Sequence, residues 1–358
     1  MTIIWAEGFD HYGTTPNGGR DAMLKGAWAA FADGSGNLPA ISTTQKRTGA
    51  NSLKCIGGPG VTERSTARRV LGGSKLAVGC GFGGFPSALP TVNGTWGLEI
   101  RDAGNVNIMK ITVESDGSLG FYKGAAKTLM ARSDPLITAA SWSHIEVKCV
   151  IDNLVGSIEA QVNGLPAFVL TNQNLGVAAA TQLIFGCFEG SGSGATIDFY
   201  FDDIVVWDTS GTVNNDFLGP QRVETIFPTS DTAAADFTKV GTANGYDCID
   251  NVPPDDDTTY IAGAVVADVS EFGLGTLPAN TASIVGVFVH TLARLSDAGT
   301  GNVQVSLVSG AAVSLGPDKV LTSGYAYHGG VHEVDPNTSA AWTKSGVEAA
   351  LLRVEKTV

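Results

Sequence analysis

Basic side chains are scarce: 22 Lys and Arg stand against 35 Asp and Glu, leaving a net charge of −13. Affinity for a phosphate backbone comes from Lys and Arg displacing counterions, so a nucleic-acid partner is excluded. The most basic stretch, Arg64-Ser65-Thr66-Ala67-Arg68-Arg69, reads as a solvated strand edge or turn. Long apolar runs are missing too. None approaches the ~20 residues that a bilayer-spanning helix needs, and Met1-Thr2-Ile3-Ile4-Trp5-Ala6-Glu7 lacks the basic region of a signal peptide. A protein made without export and not inserted in a membrane is expected. Cysteine is sparse and odd in number, and no C-x-x-C pair occurs among Cys55, Cys80, Cys149, Cys187 and Cys248. Zinc is thereby excluded and buried free thiols are expected, with a Cys80–Cys187 or Cys55–Cys149 bridge left open.

Several signatures of chemistry are also absent. There is no Gly-x-Ser-x-Gly elbow and no glycine loop at a strand-to-helix switch. Glu-x-Asp-x-x-Glu does not occur. A glycoside hydrolase needs two carboxyl groups across a cleft. The nearest pairs are Glu99 with Asp102 and Glu146 with Glu159, which polar-face alternation explains. His328-Gly329-Gly330-Val331-His332 cannot form the helix that would bring both rings to one ion.

What is abundant is glycine, 46 residues with 14 prolines, and only 16% of positions are charged. That balance favours many short strands joined by tight turns, so an all-β chain is expected. Ser141 to Ile151 alternates, with Ile145, Val147 and Cys149 opposite Trp142, His144 and Glu146. Asn163-Gly164 marks a hairpin. Leu24, Trp28 and Phe31 lie at helical spacing in a stretch, Asp21 to Phe31, that reads as a short helix capped by Asp21 and weakened by Gly26. Probable strands cover Ser65 to Leu71, Leu76 to Phe82, Thr95 to Arg101, Val106 to Glu114 and Ser118 to Tyr122. A polar, turn-rich stretch places a linker at 211–219 between domains 1–210 and 220–358. In the second, Gly219 to Pro228, Ala282 to Leu292, Gly301 to Ser309 and Val320 to Tyr327 read as strands, and Trp342 to Leu352 holds one or two helical turns.

Trp142 with His144-Ile145-Glu146-Val147, the polar strand ending in Asn163-Gly164, and Asp202-Asp203-Ile204-Val205-Val206-Trp207-Asp208 resemble the concanavalin A-like, laminin-G-type jelly roll. The fold this implies is a concanavalin A-like jelly-roll sandwich followed by a second, smaller β-sandwich. The resemblance also implies a calcium ion at the sheet rim near Asp198, Asp202, Asp203 and Asp208, although adjacent Asp202 and Asp203 should point to opposite sides. Gly8-Phe9-Asp10-His11-Tyr12 and Asn214-Asn215-Asp216-Phe217-Leu218-Gly219-Pro220 look like structural proteins of tailed bacteriophages. That likeness implies a non-enzymatic virion subunit in a tail, fibre or capsid-decorating position. Such a subunit would assemble in the host cytoplasm as a homotrimer, dock on other virion proteins and meet host-surface glycans. The alternative is a free carbohydrate-binding module or a polysaccharide depolymerase.

Two candidate sites follow from the residues. Asp255, Asp256 and Asp257, after Pro253-Pro254, offer hard oxygen ligands to calcium or magnesium, but without the alternate spacing of a calcium loop a solvated acidic turn is the stronger reading. No other cofactor is expected. Tyr325 and Tyr327 share a strand face and, with Trp342, form the preferred aromatic contact for a sugar ring.

Overall fold

A computed structural model describes residues 3–15, 17–26, 28–33, 37–57, 64–188 and 196–358. The chain divides into two compact units, residues 2–223 and 224–358. The stretch read as a linker therefore belongs with the first unit, as do residues 220–223.

In chain order the first unit comprises β1 (Ile3–Glu7), α1 (Arg20–Met23), β2 (Ala30–Asp33), β3 (Ala40–Ser42), β4 (Ser52–Gly57), β5 (Ser65–Lys75), β6 (Ala77–Pro86), β7 (Trp96–Arg101) and β8 (Asn107–Val113). It continues with β9 (Leu119–Lys123), β10 (Thr128–Arg132), β11 (Ser143–Val150), β12 (Gly156–Val162), β13 (Leu165–Gln173), β14 (Ala180–Cys187) and β15 (Ile197–Trp207). Two antiparallel sheets result, as the jelly-roll expectation required. One runs β13-β12-β11-β6-β15-β4-β3, with β1 alongside β15; the other runs β10-β9-β8-β7-β14-β5-β2. Alternation sends one side of every strand into the space between them. There Trp96 stacks on Phe199 at 5.7 Å, and Phe185 meets Phe82 and Phe201 edge-on. Asn163 and Gly164 both take positive φ, and Val162 pairs with Leu165 across that turn. All five cysteines are buried and unbridged. Cys55 lies near Cys187 and Cys80 near Cys149, and burial raises both Cys55 and Cys80.

The helix expected over 21–31 is cut to Arg20–Met23, because Gly26 at φ 131 leaves helical space and β2 follows. Trp28 still reaches the core, edge-on to Trp5 at 5.4 Å. Asp202 and Asp203 are a second correction. Simple alternation separates them, but β15 bulges there with Asp203 at φ 51. Both carboxylates consequently reach the same loop. Asp202 accepts from the Arg47 and Thr48 amides at 2.8 and 3.3 Å, while Asp203 pairs with the Arg47 guanidinium at 2.6 Å. Asp10 accepts from the Ala50 and Asn51 amides. Asp198 pairs with Lys54 and Asp208 with Lys75. These carboxylates anchor loops, and among the described residues no group of three or more His, Cys, Asp or Glu is placed to hold a metal ion.

The second unit contains β16 (Pro228–Ala235), β17 (Thr238–Val240), β18 (Tyr260–Ala262), β19 (Val269–Leu274), β20 (Val287–Ala293) and β21 (Asn302–Ser309). After these come β22 (Ala312–Ser314), β23 (Asp318–Val320), β24 (Ala326–His332), α2 (Lys344–Ala349) and β25 (Leu351–Lys356). A six-stranded sheet runs β16-β19-β25-β21-β22 with β23 also on β21, beside the ribbons β17–β18 and β20–β24. Phe272, Leu307, Trp342, Val347 and Val354 are at its core. Gly219 to Pro228 is unpaired until Pro228, and the strand expected at Val320 to Tyr327 is displaced to Ala326–His332. The turn at 322–324, where the Thr322 hydroxyl donates to the Gly324 carbonyl, separates it from β23. Thr343 caps α2 by accepting from the Gly346 amide at 3.0 Å.

Candidate functional site

The residues singled out from the sequence in the second unit only partly come together. Tyr325 donates its hydroxyl to Asp257 at 2.9 Å, Asp257 pairs with Arg294 at 2.7 Å, and the Arg294 guanidinium lies over the Tyr325 ring at 5.1 Å. Tyr327 instead stacks on His290, with centroids 4.9 Å apart. Trp342 is 2% exposed and donates its indole N–H to the His332 carbonyl, so it packs the core and offers no face to a ligand. The three aspartates do not converge on an ion either. Asp255 accepts from the Thr259 amide and hydroxyl, Asp256 occupies the turn at φ 59, and Asp257 is held by Arg294. An acidic turn whose side chains satisfy their own neighbourhood is what the spacing produced.

A denser arrangement lies on the seven-stranded sheet, on the face turned away from the core. Because Leu98, Ile111, Phe121 and Phe185 point inward, register places Thr66, Gly186, Gly97, Thr112 and Gly120 in one row across five adjacent strands on the opposite side. At ~4.8 Å between strands this row is about 19 Å long. The next outward row is Arg68, Ile184, Glu99, Lys110 and Tyr122. Gly97 and Gly186 face each other at φ 148 and 142, and a Cβ on either would run into the Ile111 or Ser65 carbonyl of the adjoining strand. Gly97→Ala is accordingly expected to lower stability by roughly 1–3 kcal/mol in urea unfolding. A change below the error of that measurement would mean the strands are free to part.

Four polar side chains on this face are deeply buried: Glu99 is 3% exposed, Lys110 1%, and Thr112 and Glu114 0%. Lys110 Nζ meets Glu99 Oε1 at 3.0 Å, and Arg101 donates to Glu99 Oε2 through Nε at 2.8 Å and through its terminal nitrogen. Lys110 also donates to the Gly94 carbonyl at 3.4 Å and sits 4.8 Å from the Phe188 ring centroid. Burial lowers its pKa, Glu99 opposes that shift, and Arg101 and Arg64 add to it. Glu114 is bonded differently. It accepts from the Thr112 hydroxyl at 2.5 Å, the Tyr122 hydroxyl at 2.9 Å and the Gly94 amide at 3.3 Å. Burial, then Glu114, holds the Tyr122 phenol well above its usual range, so it acts here as a proton donor. One face thus carries a carboxylate set between two cations and another bonded to two hydroxyls and an amide. Half-exposed Arg68, Arg101 and Tyr122 border them.

Sequence reasoning weighed Glu99 against Asp102, but Asp102 accepts from the Val106 amide within its own turn. The turn alone carried no signal of the network. With Asp102 to Asn105 as the bend, Glu99 would meet Ile108, and it is the register shift between Ile100 and Arg101 that sets it opposite Lys110. Glu146 and Glu159 are likewise not a pair. Glu146 Oε1 accepts from the Leu218 and Gly219 amides, and Glu159 pairs with Lys148. The 216–223 segment crosses the outer side of the eight-stranded sheet there, tied also by Lys148 to Asp216 and by the Val223 amide to Asp203. Glu146 Oε2 and both ring nitrogens of His144 are buried beneath it without hydrogen-bond partners.

No protein-family model matches the chain, and no curated protein does. Among solved structures it is similar to a cellulose-induced protein, Cip1, at 17% identity and a TM-score of 0.44, over 56% of this chain and 96% of that one. It is also similar to an endo-β-1,4-glucuronan lyase from Trichoderma reesei, at 11% identity and a TM-score of 0.40, over 50% of this chain and 90% of that one. A third likeness is to the catalytic domain of a glycoside hydrolase family 131 protein from Coprinopsis cinerea, at 15% identity and a TM-score of 0.41, over 61% of this chain and 98% of that one. At these identities the likeness is one of fold. The expectation of a non-enzymatic virion subunit is corrected by these neighbours, two of which are named as a lyase and a glycoside hydrolase catalytic domain and none as a particle component.

Proposed function

We propose that the first unit is a polysaccharide depolymerase that takes an extended glycan against the outer face of its seven-stranded sheet. The observation that carries this is the burial of Glu99, Lys110, Thr112 and Glu114 on the side of the sheet that does not face the core. Burying charge costs free energy that a core packed elsewhere does not require, and such clusters mark sites of binding or chemistry. The row from Thr66 to Gly120 is itself buried, and the half-exposed Arg68, Arg101 and Tyr122 are where a polymer would meet this network. Glycosidic cleavage calls for two carboxyl groups in unlike surroundings, and Glu99 and Glu114 are so placed.

The test is the release of new reducing ends or unsaturated sugars from a panel of neutral, uronic-acid and sulfated polysaccharides. Cleavage of at least one polymer is expected, reduced 100-fold or more by Glu114→Gln in a protein that unfolds at the wild-type midpoint. A full panel left at its original chain length, with no polymer retained, would sink the proposal.

A further inference from the structure

The 216–223 segment lies on the outer side of the eight-stranded sheet without helix or strand of its own, and side chains alone fasten it there. Glu146 Oε1 accepts from the Leu218 and Gly219 amides at 2.8 and 3.1 Å, and Lys148 pairs with Asp216 at 2.7 Å beside the Phe217 ring. Arg47 donates to the Gln221 carbonyl, and Asp203 accepts from the Val223 amide. Among the described residues no backbone hydrogen bond joins the segment to a strand. Beneath it, Gly81 and Gly83 of β6 leave the sheet bare. A Cβ on Gly81 would stand 3.2 Å from His144 Nε2 and 3.3 Å from Glu146 Cγ, and one on Gly83 would meet Arg47 Cδ and the Trp142 ring. His144 and Glu146 are each 1% exposed. Yet Glu146 Oε2 and both His144 ring nitrogens have no hydrogen-bond partner among the described residues, for Gly219 faces the ring without reaching that geometry. Buried polar atoms left unmet are unfavourable, so the segment is a poor fit to what it covers.

We infer that the 216–223 segment is a displaceable cover over a second ligand site of the first unit, floored by Gly81 and Gly83 and lined by His144, Glu146, Arg47 and Trp142, and that its ligand is a neutral sugar. This site is on the other sheet from Glu99 and Glu114 and does not depend on the function proposed for them. The charges around it set the class of ligand. Glu146 opposes an anion, and Arg47, held over Gly83 by Asp203, opposes a cation. Burial, with Arg47 nearby, lowers His144 to about 3, so the ring is neutral and offers one donor and one acceptor. Hydroxyl groups both donate and accept. One can donate to Glu146 Oε2 while its neighbour bonds an imidazole nitrogen, which meets the atoms that the cover leaves unmet. Trp142 is half-buried, packs on Phe85 at 5.5 Å and offers a ring to the C–H face of a sugar.

The experiment titrates the full chain with neutral hexasaccharides of glucose, mannose and galactose, and with those of galacturonic acid and glucosamine, reading the heat of binding and the deuterium exchange of the cover. At least one neutral sugar is expected to bind and to speed exchange of the Leu218 and Gly219 amides, which Glu146 otherwise protects. Asp216→Ala with Phe217→Ala frees the cover without touching the site, and is expected to tighten binding roughly tenfold because more molecules are open. Gly81→Ala fills the floor and is expected to weaken binding about tenfold or more at an unchanged unfolding midpoint; His144→Ala serves in its place if that protein does not fold. Glu114→Gln, on the other sheet, is expected to leave binding as it was. No neutral sugar held even by the freed variant, tighter binding of either charged hexasaccharide, or binding that leaves exchange of the cover unaltered would overturn the inference. So would binding that Glu114→Gln removes, an outcome that places the sugar on the other sheet and leaves the proposed function standing.

Discussion

Glu99→Ala is expected to destabilise the first unit by about 3–5 kcal/mol, because it leaves the Lys110 ammonium buried without its carboxylate. Among the described residues, the Gly94 carbonyl at 3.4 Å and the Phe188 ring would still face that charge. Lys110 is 1% exposed, so water cannot replace the lost partner without opening the loops around Gly94 and Phe188. The paired replacement separates structure from function. Glu99→Leu combined with Lys110→Met removes both charges and is expected to recover most of the stability, since apolar pairs commonly substitute for buried ion pairs at little cost. Glycan engagement should remain absent in that double variant. Urea unfolding of the three proteins reads the first part and polymer retention the second. A single variant that loses less than about 1 kcal/mol would show the pair to be solvated, and the face would lose its standing as a buried polar site.

The pH dependence of stability is expected to be large and to have an uncommon sign. Burial raises Glu7 to about 7 and Glu146 to about 7, and burial with the neighbouring Asp203 raises Asp202 to about 8. An acid whose folded pKa lies above its unfolded value contributes stability that is complete below the unfolded pKa and lost as pH rises through the folded one. Histidines in the same unit act oppositely. Burial, against Asp10, lowers His11 to about 4, and burial with Arg47 lowers His144 to about 3, so their contribution disappears as pH falls below about 6.5. Between roughly pH 4.5 and 6.5 the two histidines offset two of the three acids; above that range only the acids titrate. Stability should therefore decline gently up to pH 6.5 and more steeply beyond it, by an amount on the order of a few kcal/mol in all by pH 8.5. Glu146→Gln imitates the protonated acid beneath the 216–223 segment. It is expected to reduce that drop while leaving the midpoint at pH 4 unchanged, where the acid is protonated in both states. A midpoint that climbs between pH 6.5 and 8.5 would show these carboxyls to be ionised and hydrated in the folded protein.

Much of the architecture was readable from local pattern. Ile145, Val147 and Cys149 against His144 and Glu146 fixed which side of β11 is buried, and Asn163-Gly164 set the register of β12 with β13. Where that reading failed, a backbone detail was responsible. Gly26 ended a helix that Leu24 and Trp28 otherwise support, and the bulge at Asp203 brought two adjacent carboxylates to one loop. Trp342 had the composition of a ligand contact and became core, because sequence does not say which tryptophan a fold will cover.

Period-two alternation, glycine-rich turns and low charge by themselves determined an all-β chain with two sheets closing on an aromatic core, since a strand's facing is a local property. The candidate site was decided at another level. Glu99, Arg101, Lys110, Glu114 and Tyr122 come from three strands and a strand end, and each alone is an ordinary polar position on an outward face. Only the antiparallel register that sets Glu99 against Lys110, and the loops that bury both, turn them into one network. Desolvation and charge pairing depend on distances between side chains far apart in the chain, and those distances exist only once the sheet has formed.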